Sequence, residues 1–252
     1  MKNIIFLLVL TITFTGCKQE KKETGQSEPE AMKSEEVRPT SEWVSLFDGK
    51  SYDNWRGYLS DNMYPEWTIE DGAMVFTPPK GSTIGSGTGK NIITKGEYTD
   101  FVLSLEWKIA EGGNSGIFWS VFEDPKFSEA YQTGPEIQVL DNAKHPDSFV
   151  PGGTHKAGSL YDMVACSPDL VKPAGEWNLC VLEINHKTNT GKVSMNGTEA
   201  LTFPVEGEAW DKMVENSKFK GWEGFGTHHT GHIGLQDHGF QVSFRNVKIK
   251  EL

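Results

Sequence analysis

The sequence predicts an all-β fold, two sheets packed as a sandwich or jelly roll, on three observations. Segments such as Phe101–Ile109 and Glu136–Leu140 alternate apolar and polar residues with period two, the pattern of a strand with one buried face. The dipeptides Asp71-Gly72 and Asn196-Gly197 sit between strand-like segments and supply the left-handed dihedrals of tight hairpins. No stretch keeps apolar residues at helical spacing for three turns, and Glu208–Lys218 is at most a short helix.

In chain order the first element is not a strand. Lys2 precedes an apolar run from Ile4 to Phe14, too short for the roughly 20 residues that cross a bilayer but suited to an export signal. The run ends in Phe14-Thr15-Gly16-Cys17, which resembles a bacterial lipobox with Phe at its first position. Residues 1–16 are therefore expected to be cleaved, and acyl chains on Cys17 to anchor the remainder to a membrane without spanning it. A simple secretory signal is the alternative. Lys18 stands where an Asp would favour the inner membrane, so the expected address is the outer membrane of the cell envelope. Residues 17–42 are dense in Glu, Lys, Ser and Pro and nearly devoid of apolar side chains, so they are read as a disordered tether.

Residues 43–252 are read as one domain. Expected strands are Phe101–Ile109, Gly116–Phe122, Glu136–Leu140, Leu179–Ile184, Gly191–Met195, Ala200–Phe203, His232–Leu235 and Val242–Ile249. The glycine-rich segment 78–96 is read as a long loop without a phosphate-binding pattern. A balance of 24 Lys and Arg against 35 Asp and Glu gives a net charge of −11, which argues against nucleic acid as a partner. Three cysteines without zinc spacing exclude a disulfide scaffold and a zinc module. Cys166 and Cys180 are equally readable as a disulfide or as two buried thiols.

Seven motifs, in order, resemble one bacterial family, the 3-keto-disaccharide hydrolase domain. They are Leu46-Phe47-Asp48-Gly49-Lys50 with Trp55, Trp67–Gly72, Gly113–Ile117, Glu136–Asp141, Ala157–Tyr161, Gly234–Gly239 and Phe244–Ile249. Each is weak alone; seven in sequence across the folded part are specific. The resemblance implies a concanavalin-like, lectin-like jelly-roll sandwich that cleaves glycosides oxidised at C3, by elimination and rehydration. It also implies a 3-keto sugar as substrate and a sugar dehydrogenase as a working partner.

A C3 ketone acidifies the C2 proton, so such a site needs a base, a donor or cation for the enediolate and contacts to the ring. On a strand, Glu136 and Gln138 share the face opposite Ile137 and Val139. Glu136 or His145 is expected as base, with Asp141 orienting His145 or holding a metal. Asn114, Trp119, Gln138, Tyr161, Gln236 and His238 are the candidate sugar contacts. No cofactor is certain; a divalent metal held by Asp141, His145 and His238 is a candidate, and His228, His229 and His232 form a second histidine cluster. The plain alternatives are a solvated sheet face for Glu136 and Gln138 and turn chemistry for Asp141. A non-catalytic glycan-binding module is the rival function.

Overall fold

The computed structural model describes residues 42–166 and 170–252. The export segment, the lipidation candidate Cys17 and the tether up to residue 41 lie outside the described residues. Among the described residues there are thirteen strands. They are β1 (Val44–Ser45), β2 (Trp55–Gly57), β3 (Trp67–Glu70), β4 (Ala73–Phe76), β5 (Ile92–Thr94), β6 (Phe101–Ile109) and β7 (Asn114–Val121). There follow β8 (Glu136–Leu140), β9 (Asn178–Asn185), β10 (Thr190–Met195), β11 (Thr198–Phe203), β12 (His232–Leu235) and β13 (Val242–Glu251). One helix, α1 (Gly207–Glu215), precedes β12.

All pairings are antiparallel, in two sheets of jelly-roll type. The larger runs β11-β10-β9-β6-β13-β4-β3, with β1 also paired to β13; the smaller runs β2-β5-β12-β7-β8. The hairpins β3–β4 and β10–β11 close through Asp71-Gly72 (φ 48° and 73°) and Asn196-Gly197 (φ 51° and 86°). Positive φ at both central residues matches the twist of the flanking strands. The segment expected to be one loop over 78–96 ends instead in β5. Ile92 and Ile93 are fully buried there and pair with β12 and β2. A three-residue strand is too short to display a period, which is why the sequence hid it.

Period-two alternation places the core between the sheets. Phe101, Leu103, Leu105 and Trp107 of β6 and Leu182 and Ile184 of β9 share one apolar cluster with Ile117 and Trp119 of β7, Ile137 and Val139 of β8, and Ile233 and Leu235 of β12. Each such side chain contributes about 1.5–3 kcal/mol by leaving water. Cys166 and Cys180 lie in this cluster, and burial pushes their thiols up to about 11 and about 12.

The smaller sheet is covered on its outer face too, since every residue of β7, β8 and β12 is buried. One part of that face is apolar, where Tyr58, Ile93, Phe118, Val121 and Ala130 cluster. The other part is polar. Residues 158–161 pair along β8, with Gly158 N donating to Gln138 O (2.8 Å) and Tyr161 N donating to Glu136 O (3.0 Å). Thus β8 has no bare edge at this point, and Tyr161 is brought beside Glu136.

Candidate active site

The polar part of the outer face is the floor of a cavity of about 420 Å³, within the range of small-molecule sites. Register builds that floor. Gly116 of β7 pairs with Gln138 of β8, and Phe118 pairs with Glu136. On the other side of β7, Gln236 N donates to Gly116 O at 3.0 Å. Asn114, Glu136, Gln138, Tyr161, Gln236 and His238 all line this cavity. Strands β8 and β12 are not neighbours, because β7 lies between them; the two groups of side chains converge across it. Gly116 makes this possible, since any Cβ there would collide with the Glu136 side chain lying over it.

Glu136 is buried, and its carboxyl is pushed up to about 8. Burial is the main cause, the charge of Asp147 adds to it, and Lys218 opposes it. Lys218 lines the same cavity, its Nζ 4.0 Å from the centre of the Tyr161 ring. Burial pushes the Lys218 ammonium down, while Glu136, Asp162 and Asp147 support it. Asp162 fixes the Lys218 backbone, accepting its N–H at 2.6 Å and contacting His155 Nε2 at 2.7 Å. It does so from a left-handed conformation (φ 61°), uncommon outside glycine.

Six buried side-chain atoms among the described residues have no hydrogen-bond partner, and three of them belong to this cavity's lining residues: Asn114 Oδ1, Gln236 Oε1 and His238 Nδ1. An unpaired buried polar atom costs about 1–3 kcal/mol, so three around one cavity mark a surface shaped for a ligand rich in hydroxyl groups. His238 is held down mainly by burial, and His145 lowers it further, so the imidazole is neutral near pH 7 and accepts a hydrogen bond.

Three expectations are corrected. Trp119 is only 3% exposed and packs between the sheets on Phe203, at 5.7 Å, so it does not reach the sugar side; β-strand alternation sends it to the opposite face from Phe118. His145 does not line the cavity. It caps the turn Pro146–Phe149, with Nδ1 accepting the Asp147 N–H at 3.2 Å, and its edge meets Phe240. Asp141 does not orient that imidazole, because its carboxylate accepts the N–H groups of Gly112 (2.7 Å) and Ala143 (3.0 Å), which is turn chemistry.

The metal candidates do not fit a site either. Among the described residues no three His, Cys, Asp or Glu side chains are placed to share an ion, and the Asp141 carboxylate and His145 Nδ1 accept from backbone N–H groups instead. The second histidine cluster is dispersed. His228 stacks on Phe122, His229 on His186, and His232 Nδ1 lies 3.1 Å from Gly96 O.

The sequence reading missed Lys218, Asp147, Glu129, Asn91, Asp237, Tyr131, Phe219 and Trp222. Asp237 holds the 85–90 loop at the cavity rim, accepting the N–H groups of Thr88 (2.7 Å) and Lys90 (3.1 Å). Lys218 lies in an irregular segment 82 positions from Glu136, and no spacing rule reaches across such an interval.

Residues 42–250 match the family described as the 3-keto-α-glucoside-1,2-lyase-like domain. A 3-keto-disaccharide hydrolase of Bacteroides thetaiotaomicron is 35% identical over 229 residues, covering 83% of this chain and 78% of the relative. A crystal structure from Parabacteroides distasonis, provisionally named a glycosyl hydrolase, superposes with a TM-score of 0.73 at 30% identity, covering 83% of this chain and 94% of that one. A second from the same organism, similarly named, gives 0.61 at 26% identity and covers 84% and 100%.

Proposed function

Because this chain belongs to the 3-keto-α-glucoside-1,2-lyase-like family, we propose that it cleaves 3-keto glycosides by removing the C2 proton, eliminating the C1 substituent and adding water, a net hydrolysis. The observation that carries this reading is the convergence of Glu136 and Lys218 in one cavity with three unpaired polar atoms. Glu136 is the base. A carboxyl held near 8 is a stronger base than an ordinary one, while enough of it ionises near neutral pH to act. Lys218 supplies the cation that stabilises negative charge on the enediolate oxygen, in a site where burial strengthens every charge interaction. Asn114, Gln138, Gln236 and His238 bind ring hydroxyls, and Tyr161 closes the wall beside Glu136.

Two further parts of the proposal rest on the sequence. The chain is exported and anchored through lipidated Cys17 at the outer membrane, with the tether giving reach. A sugar dehydrogenase supplies the ketone, since elimination has no driving force without an acidified C2–H. The domain is tested with a 3-keto disaccharide and its unoxidised counterpart, each with and without a chelator. Cleavage of the oxidised sugar alone, unaffected by chelator, is expected. Cleavage of neither would favour a glycan-binding module, and cleavage of the ordinary sugar alone would refute elimination.

A further inference from the structure

The cavity has a wall that the proton abstraction leaves unused. Tyr131 and Trp222 come from segments 91 positions apart and meet at its edge, ring centres 6.0 Å apart, yet they remain 38% and 37% exposed. Their positions are fixed from behind. Trp222 sets its edge against Phe219 (5.3 Å, 87°), which stacks on Phe225 at 3.7 Å, and Tyr131 sits in the short turn Ala130–Gln132. Two large rings held rigid and half in water contribute little to the core. Beside a polar cavity such a surface is suited to the apolar C–H face of a sugar or to an aryl group.

Glu129, two residues before Tyr131, lines the same wall. Its Oε2 accepts the Asn91 side-chain N–H at 2.7 Å, and no base or cation is paired with Oε1 among the described contacts. Burial and the nearby Asp237 both push this carboxyl up, toward the protonated form an acid needs. Oε1 faces Gly89, where a Cβ would stand 3.5 Å away, in ordinary van der Waals contact.

Resting on the elimination reading above, we propose that Tyr131 and Trp222 seat the leaving group and that Glu129 is the acid that protonates it. In the first step Glu136 takes the proton from C2, electrons move into a C1–C2 double bond, and the C1–O bond breaks. The departing oxygen keeps that electron pair and takes the proton of Glu129. In the second step Glu129, now a carboxylate, accepts a proton from water as it adds at C1. Glu136 returns its proton to C2, and both carboxyls regain their starting states.

The test compares leaving groups. Glu129→Gln keeps an oxygen acceptor for Asn91 but cannot give up a proton. On a 3-keto disaccharide, whose leaving alkoxide is poor, kcat should fall about 10²-fold. On a 4-nitrophenyl 3-keto-glucoside, whose leaving phenolate needs no acid, the first-turnover release of nitrophenolate, which precedes hydration, should stay within about twofold of wild type. Trp222→Ala should raise KM for the disaccharide and leave KM for the methyl 3-keto-glucoside unchanged. Equal losses on disaccharide and nitrophenyl substrates, or no loss on either, would overturn the acid role; equal KM changes on disaccharide and methyl glycoside would overturn the shelf. A wild-type protein that cleaves none of the three would instead sink the elimination reading itself.

Discussion

Glu136→Gln should make the domain more stable and inactive at once. In an unfolded chain this carboxyl titrates near 4.5, and in the folded protein near 8. The folded state therefore holds a proton that the unfolded state has released. Below pH 4.5 both states are protonated and burial of the charge costs nothing. From there stability falls as pH rises, and the loss is complete only above pH 8. At about 1.4 kcal/mol per pH unit the full penalty is about 5 kcal/mol, and about 3 kcal/mol of it is present at pH 7. Glutamine fills the same space and carries no charge, so it removes the penalty, less what Lys218 loses with its partner. For a domain of this size roughly 2–4 °C accompany each kcal/mol. Calorimetric melting of wild type and variant from pH 4 to 8 should give curves that meet near pH 4.5 and diverge by several degrees at pH 7, the variant higher. In parallel, NMR in deuterated water should show the variant failing to exchange the C2 proton of a 3-keto glycoside, with turnover reduced by at least about 10²-fold. A melting difference that is flat or shrinks with pH would refute the displaced carboxyl. Retained C2 exchange would refute its role as base.

The neighbours of Glu136 should move its titration in opposite directions. Lys218→Met removes the charge that lowers it, so the acid limb of the kcat/KM profile should shift to higher pH. Asp147→Asn removes a charge that raises it, so the limb should shift lower. The pH profiles of the two variants check both signs. Gly116→Ala should cost about 1–3 kcal/mol by overpacking and displace the Glu136 carboxylate, so melting temperature and turnover fall together. Cys17→Ala should move the protein from the membrane to the soluble fraction, read by fractionation and by loss of labelled palmitate; a variant that stays membrane-bound would refute the lipid anchor.

Legibility differed by element. The strands from β6 onward were readable because a period of two runs over five or more residues, as in Phe101–Ile109. β12 was readable on four, because Ile233 and Leu235 alternate with glycine and His232. β1, β2 and β5 were not, because two or three residues carry no period. Glu136 and Gln138 were legible from the same alternation, once Ile137 and Val139 were assigned to the core. Trp119 was misread because being opposite Phe118 does not say which face is inward. Phe118 occupies the outer face but is covered there by Tyr58, Ile93, Val121 and Ala130.

What the sequence determined alone was local: which residues alternate, where the chain turns at Asp71-Gly72 and Asn196-Gly197, and which side chains leave β8 together. These depend on dihedral preference and on the two-residue repeat of a strand, both written in neighbouring positions. Which distant segments meet was decided only by the packed sheets. The insertion of β7 between β8 and β12, the meeting of Lys218 and Glu136 in one cavity and the wall of Tyr131, Trp222 and Glu129 follow from burial shared across the whole domain. Desolvation of Glu136 is likewise a property of everything folded over it, and no window along the chain contains it.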